Sequence, residues 1–64
     1  MRNWLKEKRE NAELSQEKLG KMIGTTQQAI QHYESGIRDP KPNKAKKIAK
    51  ILEFDWKLFY EEVS

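Results

Sequence analysis

Apolar residues at helical spacing, separated by short turns, account for almost the whole of this chain. Residues 2–12 predict a first helix, with Leu5, Arg9 and Ala12 on one stripe and Glu7, Lys8 and Glu10 towards water. A short turn at 13–14 follows, placing Leu14 beneath the next element. Residues 16–35 read as two short helices broken by one tight turn. Ser15 is the N-cap candidate of the first, and Thr26 caps the second by accepting a hydrogen bond from an orphan N–H. Gly24 stands where a left-handed residue must end one helix and start the next. Leu19 and Ile23 face the core, and Gly20 permits close approach of the following helix, at up to about 1 kcal/mol relative to alanine. Gly36 ends that helix, and 37–41 forms a loop closed by Pro40. Pro42 suits the first position of a helix over 42–52, having no N–H to waste there; its core stripe is Ala45, Ile48, Ala49 and Leu52. Asp55 caps a final short helix from 56 to about 61. The expectation is a single all-α domain of five helices over residues 1–64, its ends being those of the chain.

The second helix of the central pair changes the picture most. With Gln27 at zero and about 100° per residue, Gln27, Gln31, Ser35, Gln28 and His32 fall within an arc of roughly 140°. Ala29, Tyr33, Thr26 and Ile30 occupy about 100° on the opposite side. One face packs. The other is amide, hydroxyl and imidazole, whereas an ordinary exposed face favours Lys and Glu in pairs. An amide offers a donor and an acceptor side by side, the pattern that meets adenine N6 and N7 in a DNA major groove. Gln27 and Gln28, at the helix start, are the foremost candidates for base edges, with Gln31 and His32 one turn on. His32 reads alternatively as an exposed neutral ring; with no second histidine or cysteine nearby, it is not a metal site.

Ser15-Gln16 at the start of one helix, then Leu19, Gly20, Ile23, Gly24, Thr26, Ile30 and Glu34-Ser35-Gly36, carry a resemblance in order and spacing. They are similar to the helix-turn-helix of the lambdoid phage repressor and Cro proteins, the XRE family. The run 24–30 is especially close to the recognition helix of a lambdoid repressor, and with its flanking helices the resemblance extends from about residue 4 to residue 60. It implies a lambda-repressor-like DNA-binding domain. The chain departs from the family at Gly20, where alanine is usual, and at Thr25, where an aliphatic residue is usual. Thr25 is expected to be partly buried through its methyl group, and Gly20 to mark either close packing or a loose helix.

The resemblance also assigns residues. A first-helix arginine of that family pairs with the glutamate matching Glu34, which implies a partly buried Arg9–Glu34 ion pair; on periodicity alone Arg9 reads equally as a snorkelling surface arginine. The family reaches the sugar–phosphate backbone from the loop and the start of the fourth helix, here Arg38, Lys41 and Lys44. Ser15 and Gln16 lie at a helix N-terminus, where free N–H groups and the dipole attract phosphate, although Ser15 also reads as a simple cap. Thr26 and Ser35 complete the phosphate candidates.

Charge supports this orientation. The 64 residues carry a net +3, but residues 36–50 hold six basic side chains against Asp39, while 51–64 hold Lys57 against Glu53, Asp55, Glu61 and Glu62. Positive potential therefore follows the reading helix, and the C-terminus is acidic. So small a domain buries only about 60% of its unfolded surface. Phe54, Trp56, Phe59 and Tyr60 place four aromatics in seven residues. Phe54 and Phe59 are expected to close the core; Trp56 and Tyr60 read equally as core or as a dimer interface. There is no cysteine, no apolar run of membrane-spanning length and no signal-peptide pattern, so a soluble cytoplasmic protein without metal or cofactor is expected. With one histidine and no glycine-rich phosphate loop, an enzyme is excluded on inventory. Two functions compete. One is a regulator that binds double-stranded DNA as a homodimer on a palindromic operator, the resemblance implying repression. The other is an antitoxin-like module whose aromatic C-terminus binds a regulatory protein partner.

Overall fold

The computed structural model describes residues 2–61. They form α1 (Asn3–Asn11), α2 (Gln16–Ile23), α3 (Gln27–Ser35), α4 (Pro42–Leu52) and a 3-10 helix (Trp56–Tyr60), with no strand among them. The all-α expectation holds at this level, but the count of five helices needs correction: four are α-helices and the last is a short 3-10 element. Its bonds explain the difference. Leu58 N–H donates to the Asp55 carbonyl at 2.9 Å, an i→i+3 bond, and the Asp55 carboxylate accepts from Lys57 N–H at 3.0 Å. A period of three puts Trp56 and Phe59 on one side of the element, Phe59 in the core and Trp56 packed against it.

Local chemistry fixes the other boundaries. Ser15 Oγ accepts from Lys18 N–H at 3.0 Å, and Thr26 Oγ1 accepts from Ala29 N–H at 3.1 Å. Gly24 ends α2 at φ 77°, the left-handed conformation that glycine adopts without steric cost. Pro42 opens α4. Glu53 closes α4 in the same left-handed region at φ 61°, where a side chain is strained.

Leu5, Leu19, Ile23, Ile30, Tyr33, Ala45, Ile48, Leu52 and Phe59 form one buried cluster drawn from every helix. Trp4, Leu14, Ala29, Ile51, Phe54 and Trp56 pack around it. Ala12, expected on the apolar stripe of the first helix, lies beyond the end of α1 and is exposed, because the chain has already turned towards α2.

The junction of α2 with α3 is tight. A Cβ added at Gly20 would lie 3.0 Å from the Thr26 carbonyl carbon and oxygen and 3.1 Å from the Thr25 carbonyl oxygen. The Gly20 carbonyl itself accepts from Thr25 N–H at 2.7 Å. Gly20→Val would gain roughly a few tenths of a kcal/mol in helix propensity. It would drive three carbons against the backbone of the turn, which overpacking costs put at about 1–3 kcal/mol. A lower urea midpoint is therefore expected; an unchanged midpoint would mean that the turn yields freely.

Candidate nucleic-acid interface

The turn after Gly24 sets α3 on the body of the domain with Ile30, Tyr33 and Glu34 buried beneath it. The opposite face is uncovered. Gln27, Gln28 and Gln31 are exposed, and His32 and Ser35 are half-buried along its border. His32 borders a shallow cleft with Thr26, Gln28, Ala29 and Arg38, and the Ser35 hydroxyl donates to the His32 carbonyl at 3.2 Å. Three amides thus share one solvent-facing stripe, supported from below by core side chains.

A buried network holds this helix. Arg9 is 8% exposed and Glu34 6%. Arg9 Nε donates to Glu34 Oε2 at 2.5 Å, Nη2 to Glu34 Oε1 at 3.4 Å, and Nη1 to the Leu14 carbonyl at 2.7 Å. Gln16 Nε2 adds a bond to Glu34 Oε1 at 3.1 Å. Helices α1, α2 and α3 therefore meet at one carboxylate. Gln16, a phosphate candidate, has its side-chain amide turned to Glu34, while Ser15 is exposed and occupied as a cap.

The basic candidates divide. Arg38 and Lys41 are exposed on the loop between α3 and α4. Lys44 is half-buried, and its Nζ donates to the Ile23 carbonyl at 3.4 Å, at the C-terminal end of α2 where the dipole favours a cation. Thr26 is exposed at the start of α3.

One residue with no assignment from the sequence is central here. Arg2, just ahead of α1, is 5% exposed. It bonds the carbonyls of Tyr33 and Arg38 and pairs with the Asp39 carboxylate. An arginine next to the chain start carries no periodic signal of burial. The nearest sequence clue is Asp39, the lone acid in a basic stretch.

The aromatic segment sits on the same side of the loop. Phe59 is buried among Trp4 and Phe54, with ring centroids 5.4 and 5.6 Å away. Trp56 is half-buried, covered on one face by Lys46 Nζ at 5.0 Å from the ring centroid. Tyr60 stays 44% exposed, and its hydroxyl donates to the Pro40 carbonyl at 2.5 Å. Partial burial, then the nearby Asp39 carboxylate, raise the Tyr60 pKa above its ordinary value. Among the described residues, no cluster of His, Asp or Glu could hold a metal ion, and no helix is long and apolar enough to cross a membrane.

Two short helices joined at a left-handed glycine, the second braced from behind and bare in front, define a helix-turn-helix DNA-binding domain. The chain matches the family described as Helix-turn-helix over residues 5–59, and it belongs to that family. It is similar to a Bacillus subtilis (strain 168) protein described as an uncharacterized HTH-type transcriptional regulator, YqaF. The two are 36% identical over 63 residues, covering 98% of this chain and 83% of that protein. No solved structure gives a significant match.

Proposed function

We propose that this chain is a sequence-specific, double-stranded-DNA-binding transcriptional regulator, acting in the cytoplasm as a repressor and as a homodimer on a palindromic operator. The observation that carries the reading is the exposed amide stripe of α3, formed by Gln27, Gln28 and Gln31 on a helix braced by Arg9, Glu34 and the core. With α3 in the major groove, Gln27 and Gln28 meet base edges, and Gln31 and His32 reach further along the groove. Arg38 and Lys41 take phosphates, as do Ser15, Gln16, Thr26, Ser35 and Lys44 where their present bonds leave polar groups over. These contacts position the protein; the amides choose the sequence. A dimer would set two such helices about 34–36 Å apart, and bound between promoter elements it would occlude polymerase.

Selection from a randomised duplex pool tests this. A palindromic consensus with half-sites one turn apart is expected. Gln27→Ala and Gln28→Ala should each reduce discrimination at one base position by about 1–3 kcal/mol while leaving binding to unrelated DNA unchanged. No consensus, or preferences indifferent to both substitutions, would sink the reading.

A second reading draws on Ile37, 70% exposed, and Tyr60, both beside the loop. These apolar groups, with Trp56, suit a protein surface: a second subunit in the first reading, or a protein partner in an antitoxin-like module. In the latter case the two glutamine variants would retain full function.

A further inference from the structure

We propose that Arg2 is a positioning residue for DNA binding: it sets the α3–α4 loop in place and holds Asp39 away from the phosphates that Arg38 and Lys41 take. The inference rests on the DNA-binding reading above. Arg2 Nη1 donates to the Tyr33 carbonyl at 2.7 Å and to the Arg38 carbonyl at 3.2 Å, and Nη2 pairs with Asp39. Its backbone N–H donates to the Glu34 carbonyl at 2.7 Å. The guanidinium carbon lies 5.6 Å from the Phe59 ring centroid, a further restraint on its plane. One planar fork thus joins the last turn of α3 to two consecutive loop residues. On the other side of Asp39, the Tyr60 hydroxyl holds the Pro40 carbonyl. Between these anchors the loop backbone has little freedom, while the Arg38 and Lys41 side chains stay exposed.

Electrostatics adds a second reason for the arrangement. Asp39 is the sole acid in residues 36–50, among six cations. Released from Arg2, its carboxylate would take Arg38 or Lys41 as partner and so withdraw their positive charge from the interface. Lysine replaces the fork only in part, because a single ammonium lacks the two-pronged geometry with which Arg2 reaches Tyr33, Arg38 and Asp39 together.

The test is fluorescence anisotropy with a random-sequence 20-base-pair duplex, titrated against salt, on chains shown by circular dichroism to be folded. Arg2→Gln is expected to weaken binding roughly tenfold near 0.1 M salt and to flatten the log–log salt slope by about 1 to 2, the loss of one or two phosphate contacts. Arg38→Ala with Lys41→Ala should do the same, and adding Arg2→Gln to that pair should change nothing more. Should Arg2→Gln fail to fold, Arg2→Lys serves instead, with a loss of roughly threefold and the same non-additivity. Folded variants with the wild-type slope overturn the inference alone. So do losses that add to those of the loop pair, because Arg2 would then act elsewhere. A wild-type chain that binds no duplex overturns the DNA-binding reading and this inference together.

Discussion

Glu34→Ala is expected to remove about 3–5 kcal/mol of stability, the cost of breaking a buried ion pair from one side. At roughly 0.05–0.15 kcal/mol per residue, a chain of 64 residues holds only about 3–10 kcal/mol in total. At the lower end of that range the variant would be unfolded at 25 °C, and at its middle only about 2–3 kcal/mol of stability would remain. The cause is the stranded partner. Arg9 would keep only the Leu14 carbonyl, its guanidinium still shut away from water, and Gln16 would lose its acceptor as well. Urea denaturation followed by circular dichroism measures the loss, and a value under 1 kcal/mol would mean that water reaches the pair readily. A double-mutant cycle with Arg9→Met supplies the control. Removing both charges should cost less than removing Glu34 alone, since no buried charge is then left stranded.

Phe59→Ala ranks beside it, also at about 3–5 kcal/mol, from lost transfer energy and an incompletely closed cavity. Phe59 is 2% exposed and is the hub of the C-terminal aromatics, packed on Trp4, Phe54 and Tyr60. Its loss should release the 3-10 helix and, with it, one support of the Arg2 side chain. Fluorescence of Trp4 and Trp56 in a urea titration would report both the shift in midpoint and any separate early transition. A loss below about 1.5 kcal/mol would indicate that Trp4 and Phe54 collapse into the space, well short of the usual cost of an aromatic truncation.

Much of this fold was legible because the signals that set it are local. A serine or threonine before an apolar run, a glycine after it and a proline at the first helical position act within one turn of chain. They locate α2, α3 and α4 without reference to anything distant. The final segment was less legible, because the choice between α and 3-10 geometry at Trp56–Tyr60 depends on how its aromatics meet Trp4 and the core. The candidate site divides in the same way. The amide stripe of α3 follows from helical period alone. Arg2 does not, since its burial depends on Tyr33, Arg38 and Asp39, more than thirty residues along the chain. The turning of Gln16 to Glu34 and of Lys44 to Ile23 likewise depends on distant neighbours that no spacing rule names.

Ile30 and Tyr33 make the back of α3 a wall of the apolar core. The proposed recognition surface and the core are then two sides of one object, and α3 cannot peel away without exposing the centre of the molecule. Local opening of the kind that gives many binding loops their mobility is closed to this helix, and the hydrogen-bonded amides beyond its first turn should exchange only through global unfolding. The lifetime of the chain would follow from that coupling. A duplex present at a hundred times its Kd adds about 2.7 kcal/mol to the folded state, so occupied molecules would escape proteases that clear unoccupied ones. Occupancy of DNA would then regulate the abundance of the protein itself.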